Sequence, residues 1–399
     1  MADLRILHID DKCTGCGACV SACPKECLVL RRNNEGFYYP EWDESKCIEC
    51  KLCEKSCHAI SNEEHKTVSE DNFYMYADGD SIRERSSSGG AFFRLVQSVL
   101  AQAGVVYGSA YNPDKNRLEI TSTEETALER IQKSKYIESF AGSSFSRVKK
   151  DLKGQRKVLF CGTPCQVKGL KHYLQVNKVD DSNLITVDFI CHGVPSSLCF
   201  EEYISKFRKR GGKILNIDFR NKSYNKNGQG WHDLSFRVDY ETAKSVVVPY
   251  APPYYLNYYK LFEDGVILRR CCYNCKLPSQ SAADFTLADF WGIYKYRPSL
   301  DDNKGLSIIK MHTPKAEQYW DRINYTAPVF EPLPFDAVKY IYNKKDKTEL
   351  RNRRDVFFEN YKKLGYKEAV AKYYGLSSLI KAYTIGWLKT SLKKIIRHY

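Results

Sequence analysis

Long apolar runs are missing from this chain of 399 residues: nothing approaches the ~18–20 uninterrupted apolar residues that a membrane-spanning helix needs. The opening stretch from Met1 to Asp10 carries charges where an export signal needs an apolar segment, so the expected compartment is reducing and cytoplasmic. Methionine is scarce, at 3 residues, and low-complexity sequence is absent. There is neither G-x-G-x-x-G after a strand nor G-x-x-x-x-G-K-[ST], which argues against an ordinary Rossmann or P-loop nucleotide site. With 43% hydrophobic and 28% charged residues, disorder is excluded as the main state, and the length predicts two or three domains.

Cysteine is abundant, at 16 residues, and crowds into short segments. Cys13, Cys16, Cys19 and Cys23, then Cys47, Cys50, Cys53 and Cys57, spell C-x2-C-x2-C-x3-C twice. Two-residue gaps on a tight loop let three thiolates converge on one cube, and the fourth comes from elsewhere. The last cysteine of each run serves the other cluster in two-cluster ferredoxins, so Cys13, Cys16, Cys19 and Cys57 are expected around a first [4Fe-4S] site. Cys47, Cys50, Cys53 and Cys23 are expected around a second. Structural zinc on paired C-x2-C units is the competing reading. Pro24 fits the C-P ending, whereas His58 stands where the second proline would be, leaving coordination intact and the tuning of the first site open.

Downstream the periodicity alternates. Helical spacing over residues 91–103, 144–152, 166–175 and 196–210 interleaves with apolar strand-like runs at 105–111, 157–160 and 184–190, which predicts an α/β domain with its chemistry at the carboxyl ends of the strands. A second cysteine set follows this pattern: Cys161 and Cys165 in CGTPCQ, Cys191 in CHGVP, and Cys271, Cys272 and Cys275 in CCYNC. Each alone fits a buried structural thiol, and together they can build a third four-thiolate site.

In this order the motifs resemble the coenzyme F420 hydrogenase/dehydrogenase β-subunit family, in the form with an N-terminal 2[4Fe-4S] ferredoxin domain. The resemblance runs from Cys13 to about Thr313 and rests on Ser87-Ser88-Gly89-Gly90, Lys133-Ser134-Lys135-Tyr136, Gly162-Thr163-Pro164-Cys165-Gln166, Cys191-His192-Gly193, Cys272-x2-Cys275 and the segment Ala283 to Gly292. It implies FAD and a third [4Fe-4S] cluster on Cys165, Cys191, Cys272 and Cys275, and hydride exchange with a deazaflavin; a relative acts on 7-hydroxymethyl chlorophyll. Cys161 and Cys271 match no shared position, and Cys271 in place of Cys272 stays open.

For the flavin, Ser87, Ser88, Gly89 and Gly90 are expected to let a diphosphate approach the backbone at a helix start, with an N-cap and turn as the plain alternative. Lys135 and Tyr136 are expected beside it, Asp289 on its ribose unless it serves a turn, and His192 as a proton donor unless it supports cluster sulfur. Tyr254, Tyr255, Tyr258 and Tyr259 are expected in core packing, with a planar-substrate pocket as the other reading. Residues 339–399 carry 16 of the basic residues and 5 acidic ones, so +11 of the formal +14 sits there. Leu376, Ile380, Trp387, Leu388 and Ile395 recur at helical spacing, which suggests a helix docked on its own protein or, alternatively, peripheral membrane contact. Nucleic acid is not expected.

The expected organisation is a ferredoxin domain over 1–62, a linker over 63–85, an α/β domain binding FAD and [4Fe-4S] over 86–335, and a basic helical tail over 336–399. The overall class is α+β with α/β. The expected function is an iron–sulfur flavoprotein oxidoreductase that exchanges electrons with ferredoxin, another one-electron carrier or a partner subunit. Alternatives are a ferredoxin-dependent reductase of a sugar or glycan intermediate, and a non-catalytic electron-transfer subunit.

Overall fold

The computed structural model describes all residues except 1–3, 10, 62–68, 223–229, 233, 250–257, 324–326, 343–347 and 376–399. The N-terminal segment places the two cysteine runs around a hairpin of β1 (Leu28–Arg32) and β2 (Tyr38–Trp42), with short helices Ala18–Ala22 and Leu52–Lys55 inside the runs. Leu4, Ile6, Cys27 and Leu28 form its small core with Cys53 and Cys57.

The body is built on a nine-stranded mixed sheet. Its strands are β3 (Phe73–Ala77), β4 (Val105–Asn112), β5 (Arg117–Ser122), β6 (Ser139–Phe140), β7 (Val158–Cys161), β8 (Leu184–Phe189), β12 (Phe285–Asp289), β13 (Ser307–Met311) and β14 (Val329–Leu333). They run in the order β14-β3-β13-β12-β8-β7-β4-β5-β6. Strands β4, β7, β8 and β12 are parallel neighbours. These central strands are largely apolar, with polar residues such as Asp188 and Asp289 near their carboxyl ends, because helices cover both faces. Val105, Val158, Phe160 and Leu184 face helices Ser144–Lys153 and Pro164–Val176. Val106, Leu159, Ile185 and Val187 face helices Ala91–Leu100 and Pro314–Ile323.

Residues 63–85, expected as a linker, contain β3, which pairs with both β13 and β14, and a helix Asp80–Arg85. Phe73, Met75 and Tyr76 are buried, so this segment is part of the sheet. A five-residue strand inside a polar stretch is too short to impose a period of its own.

A second sheet of β9 (Ile214–Asn221), β10 (Ser235–Tyr240) and β11 (Ser245–Pro249) packs with helix Ser197–Gly211 around an aromatic core. Tyr258 and Tyr259 lie in that core, as expected, while Tyr254 and Tyr255 fall outside the described residues. Helices Thr348–Leu364 and Tyr366–Tyr374 add Phe357, Phe358, Tyr366 and Val370 to the same core, so the first part of the basic tail is docked on the body. The amphipathic stretch from Leu376 onward lies outside the described residues. Among the described residues no helix is long and apolar enough to cross a membrane.

Candidate active site and cluster sites

The carboxyl ends of the parallel strands are where the thiols gather. Cys161 closes β7, and the next residues turn into the helix Pro164–Val176. That turn is held by Gln166 Oε1, which accepts the Thr163 N–H at 3.1 Å. Cys165 sits in the first turn of this helix, with Thr163 Oγ1 3.0 Å from its sulfur. Cys191 follows β8 directly, and Cys272 stands on a 3-10 turn, Arg270–Asn274, where its sulfur accepts the Val194 N–H at 3.4 Å. Burial first, and then the charges of Cys191, Cys275 and Cys272, push the Cys165 thiol well above its ordinary range. Three segments distant in sequence therefore bring Cys191, Cys272 and Cys275 within electrostatic reach of Cys165. Thiolates are the donor type that a four-thiolate centre would use, but among the described residues no three Cys, His, Asp or Glu side chains stand close enough to hold a metal ion. Cys271 is hydrogen-bonded to Cys272, and its remaining neighbours include Arg269 as well as Cys165. Cys199 is fully buried in the aromatic core, away from this set.

The two ferredoxin sites differ in position. The first is pressed against the body: a Cβ added to Gly169 would stand 2.7 Å from the Cys16 sulfur, so only glycine allows the approach. Gly169 lies one turn beyond Cys165 on the same helix, about 6 Å along its axis. Arg269, fully buried, ties the two parts together by donating to the Cys13 and Tyr38 carbonyls and to Glu138 Oε1, the last at 2.9 Å. His58 is buried at the same junction, 3.1 Å from Thr14 Oγ1, and burial with the nearby Lys168 and His172 charges lowers it to about 3. A neutral imidazole thus replaces the expected proline beside the first site. The second site faces outward, with Cys50 exposed and Ile48 at 56% exposure.

A cavity of 480 Å³ opens at the carboxyl ends of β7 and β8, lined by Cys161, Cys165 and Cys191 on one side and by the loop 86–91 on another. Thr14 and Gly15 of the first cysteine run reach its wall. Its size suits a largely enclosed organic ligand.

Two families match within this frame. The C-terminal part of the coenzyme F420 hydrogenase/dehydrogenase beta subunit matches residues 155–329, and the 4Fe-4S dicluster domain matches residues 12–59. The chain belongs to the coenzyme F420 hydrogenase/dehydrogenase β-subunit family. It is an iron–sulfur oxidoreductase of that family with two [4Fe-4S] clusters in its N-terminal domain. An uncharacterized ferredoxin of Methanocaldococcus jannaschii is 40% identical over 54 residues, which span 14% of this chain and 69% of the relative. A chain of the F420-reducing [NiFe] hydrogenase complex from Methanosarcina barkeri aligns at 14% identity and a TM-score of 0.46, covering 75% of this chain and 94% of that one.

In this member of the β-subunit family the expected flavin residues Ser87, Ser88, Gly90, Lys135, Tyr136 and Asp289, and His192, expected as a proton donor, all line the cavity. Gly89 stands just behind, where a Cβ would collide with the Tyr76 carbonyl. Gly90 has φ +98° and opens the ten-residue helix Ala91–Leu100, whose first residues line the cavity. The loop is tied down by hydrogen bonds to neighbouring segments. Ser88 Oγ donates to the Leu306 carbonyl at 2.6 Å, Ser307 Oγ accepts the Gly89 N–H at 2.9 Å, and Ser87 Oγ accepts the Ser134 N–H at 2.7 Å.

Two residues differ from expectation. Lys135 spends its ammonium on the carbonyls of Ile131, Gln132 and Lys133, at 2.6 to 3.1 Å, rather than projecting it toward a phosphate. Burial lowers it to about 7, against the opposing pull of the Asp218 carboxylate. Asp289 is ion-paired with buried Arg220, so its carboxylate is already engaged.

Sequence reasoning missed two others. Gln132 is buried on the cavity wall, and its Nε2 has no hydrogen-bond partner, which is the orphaned donor a ligand acceptor would satisfy. Asp188, also on the wall, accepts from Ser281 Oγ and Thr286 Oγ1, and Thr286 Oγ1 lies 2.7 Å from His312 Nε2. Burial pushes Asp188 up to about 7, opposed by its hydroxyl donors and Lys171. Nothing in the local pattern of LITVDF distinguishes this aspartate from a strand-end turn residue. The stacked pair Trp231 and Trp291, with centroids 4.2 Å apart, brings a 40% exposed indole to the cavity rim.

Proposed function

We propose that the chain is an FAD-dependent iron–sulfur oxidoreductase that exchanges a hydride with a deazaflavin-like organic substrate in the 480 Å³ cavity. A third [4Fe-4S] centre on Cys165, Cys191, Cys272 and Cys275 would link that cavity to the ferredoxin domain. One observation carries this reading: Cys165 and Cys191 share a wall with the glycine-serine loop, while the first cysteine run packs one helical turn from Cys165. FAD, when bound, supplies the conversion between a two-electron hydride and single electrons.

The chain's own residues do the rest. Ser87, Ser88 and Gly90, at the start of helix Ala91–Leu100, hold a diphosphate on unpaired amides, and Gln132 Nε2 donates to a ligand acceptor. Lys135, whose charge burial weakens, keeps its side-chain nitrogen on the carbonyls of its own loop at the cavity wall. Asp188 holds a proton at its carboxyl, kept there by burial, with the neutral ring of His312 beyond Thr286 Oγ1; this assigns it the acid–base role expected of His192. Trp291 offers a planar face at the rim. Cys13, Cys16, Cys19 and Cys57 would hold the cluster nearer the cavity and Cys47, Cys50, Cys53 and Cys23 the outer one, and these would supply one-electron exchange with an external carrier or partner on the side where Cys50 is exposed.

The test is anaerobic purification of the full chain, with flavin release and iron and sulfide analysis. Bound FAD and about twelve irons per chain are expected. Protein without flavin would leave an electron-transfer subunit, and flavin that does not bleach with reduced deazaflavin would point to another organic substrate.

A further inference from the structure

The second ferredoxin site faces five thiols where a cluster needs four. Its small cavity is lined by Cys23, Cys47, Cys50 and Cys53 and also by Cys27, which belongs to neither run of four. The Cys27 sulfur is 3.2 Å from that of Cys23 and within hydrogen-bonding reach of Cys47. The placement is built in. The turn from Cys23 to Glu26 closes on the Glu26 N–H, donated to the Cys23 carbonyl at 3.3 Å, with Glu26 at φ +50°. The Cys27 carbonyl then accepts the Asp43 N–H at 2.8 Å, anchoring it at the head of the β1–β2 hairpin. Cys27 is only 5% exposed, so its side chain has the cavity and the small core for surroundings.

The four iron-bound sulfurs of a cube point away from one another toward the corners of a tetrahedron. Two sulfurs in van der Waals contact cannot serve two corners, so Cys23 and Cys27 present themselves to the same one. We propose that Cys27 is an exchangeable ligand of the second ferredoxin cluster, taking the corner of Cys23. In the exchange the iron bond to Cys23 Sγ breaks, the bond to Cys27 Sγ forms, and the Cys27 thiol proton crosses to the Cys23 sulfur. No electron moves and the net charge is unchanged. With Cys23 bound, the Cys27 thiol donates to the ligand sulfur, a contact that raises a cluster's potential. The device sits at the outward-facing site, where Cys50 is exposed and loss of a ligand to oxidation is most accessible. It rests on the dicluster domain and its ligand assignment, and is independent of the flavin.

The test compares full-length Cys23→Ala, Cys27→Ala and the double variant, prepared anaerobically, by iron and sulfide content and by EPR of the reduced protein. Both single variants are expected to keep the parental iron content with an altered signal from one ferredoxin cluster, and the double to lose about four irons per chain. Loss of those irons in Cys23→Ala alone, or their retention in the double, overturns the proposal. Should Cys23→Ala not fold, Cys27→Ala decides: a more negative potential for one ferredoxin cluster supports it, and an unchanged signal and potential overturn it. Flavin content and the signal of the Cys165 site serve as separate readouts, so a failure there is distinguishable.

Discussion

The ferredoxin segment and the cavity both gather cysteine thiols, and arrive at them by opposite routes. In the first, the eight cysteines of the two runs lie within Cys13 to Cys57, and short backbone loops bring them together. In the second, Cys165, Cys191, Cys272 and Cys275 come from segments spread over more than a hundred residues, joined only because β7 and β8 lie side by side with their carboxyl ends toward the turn Arg270–Asn274. A site encoded by short-range spacing tolerates changes in the rest of the molecule. A site assembled by sheet order depends on every element that holds that order.

The sharpest way to break the comparison is Cys165→Ala. Turnover is expected to vanish and iron to fall by about four per chain, with both ferredoxin EPR signals retained; loss of all signals together would mean that the two regions are not separately assembled. Next is Arg269→Met, which leaves Glu138, raised to about 7 even when paired, buried without its partner. Breaking such a buried pair costs about 3–5 kcal/mol, read as a lowered midpoint in denaturant together with faster proteolysis between the ferredoxin segment and the body. Below pH 7 the protonated Glu138 no longer needs the cation, so the deficit is expected to shrink there.

Asp188→Asn keeps the shape of the cavity wall but removes its proton carrier, and about a 100-fold loss in kcat is expected. Since Asp188 titrates near 7, the parent loses activity as pH rises through that value, whereas the variant is slow on both sides without that alkaline limb. The smallest effect is expected from Gly169→Ala, which presses a methyl group on Cys16. Overpacking of this kind costs about 1–3 kcal/mol, and the EPR signal of one ferredoxin cluster should change while the Cys165 site does not.

Much of the fold was legible in the sequence. The strands at 105, 158 and 184 and the helices between them follow from apolar periodicity, which is local. The strand Phe73–Ala77 was not legible, because its identity comes from pairing with β13 and β14. Among the site residues, the loop Ser87 to Gly90 was visible as small residues before a helix. Gln132 and Asp188 were not, since an orphaned amide and a three-residue hydrogen-bond chain exist only once distant segments meet.

The sequence by itself determined the doubled four-cysteine motif, the β/α alternation and the concentration of positive charge in the last sixty or so residues, because each depends on neighbours along the chain. Tertiary structure alone decided which ferredoxin site faces the body, through the close approach at Gly169, and which one meets solvent. It alone set the Cys27 sulfur against that of Cys23, and drew Lys135 onto its own loop carbonyls. The physical reason is range: thiolate spacing within a loop is set by a few dihedral angles, whereas the surroundings of a thiol or an ammonium are set by whatever the sheet packs beside it.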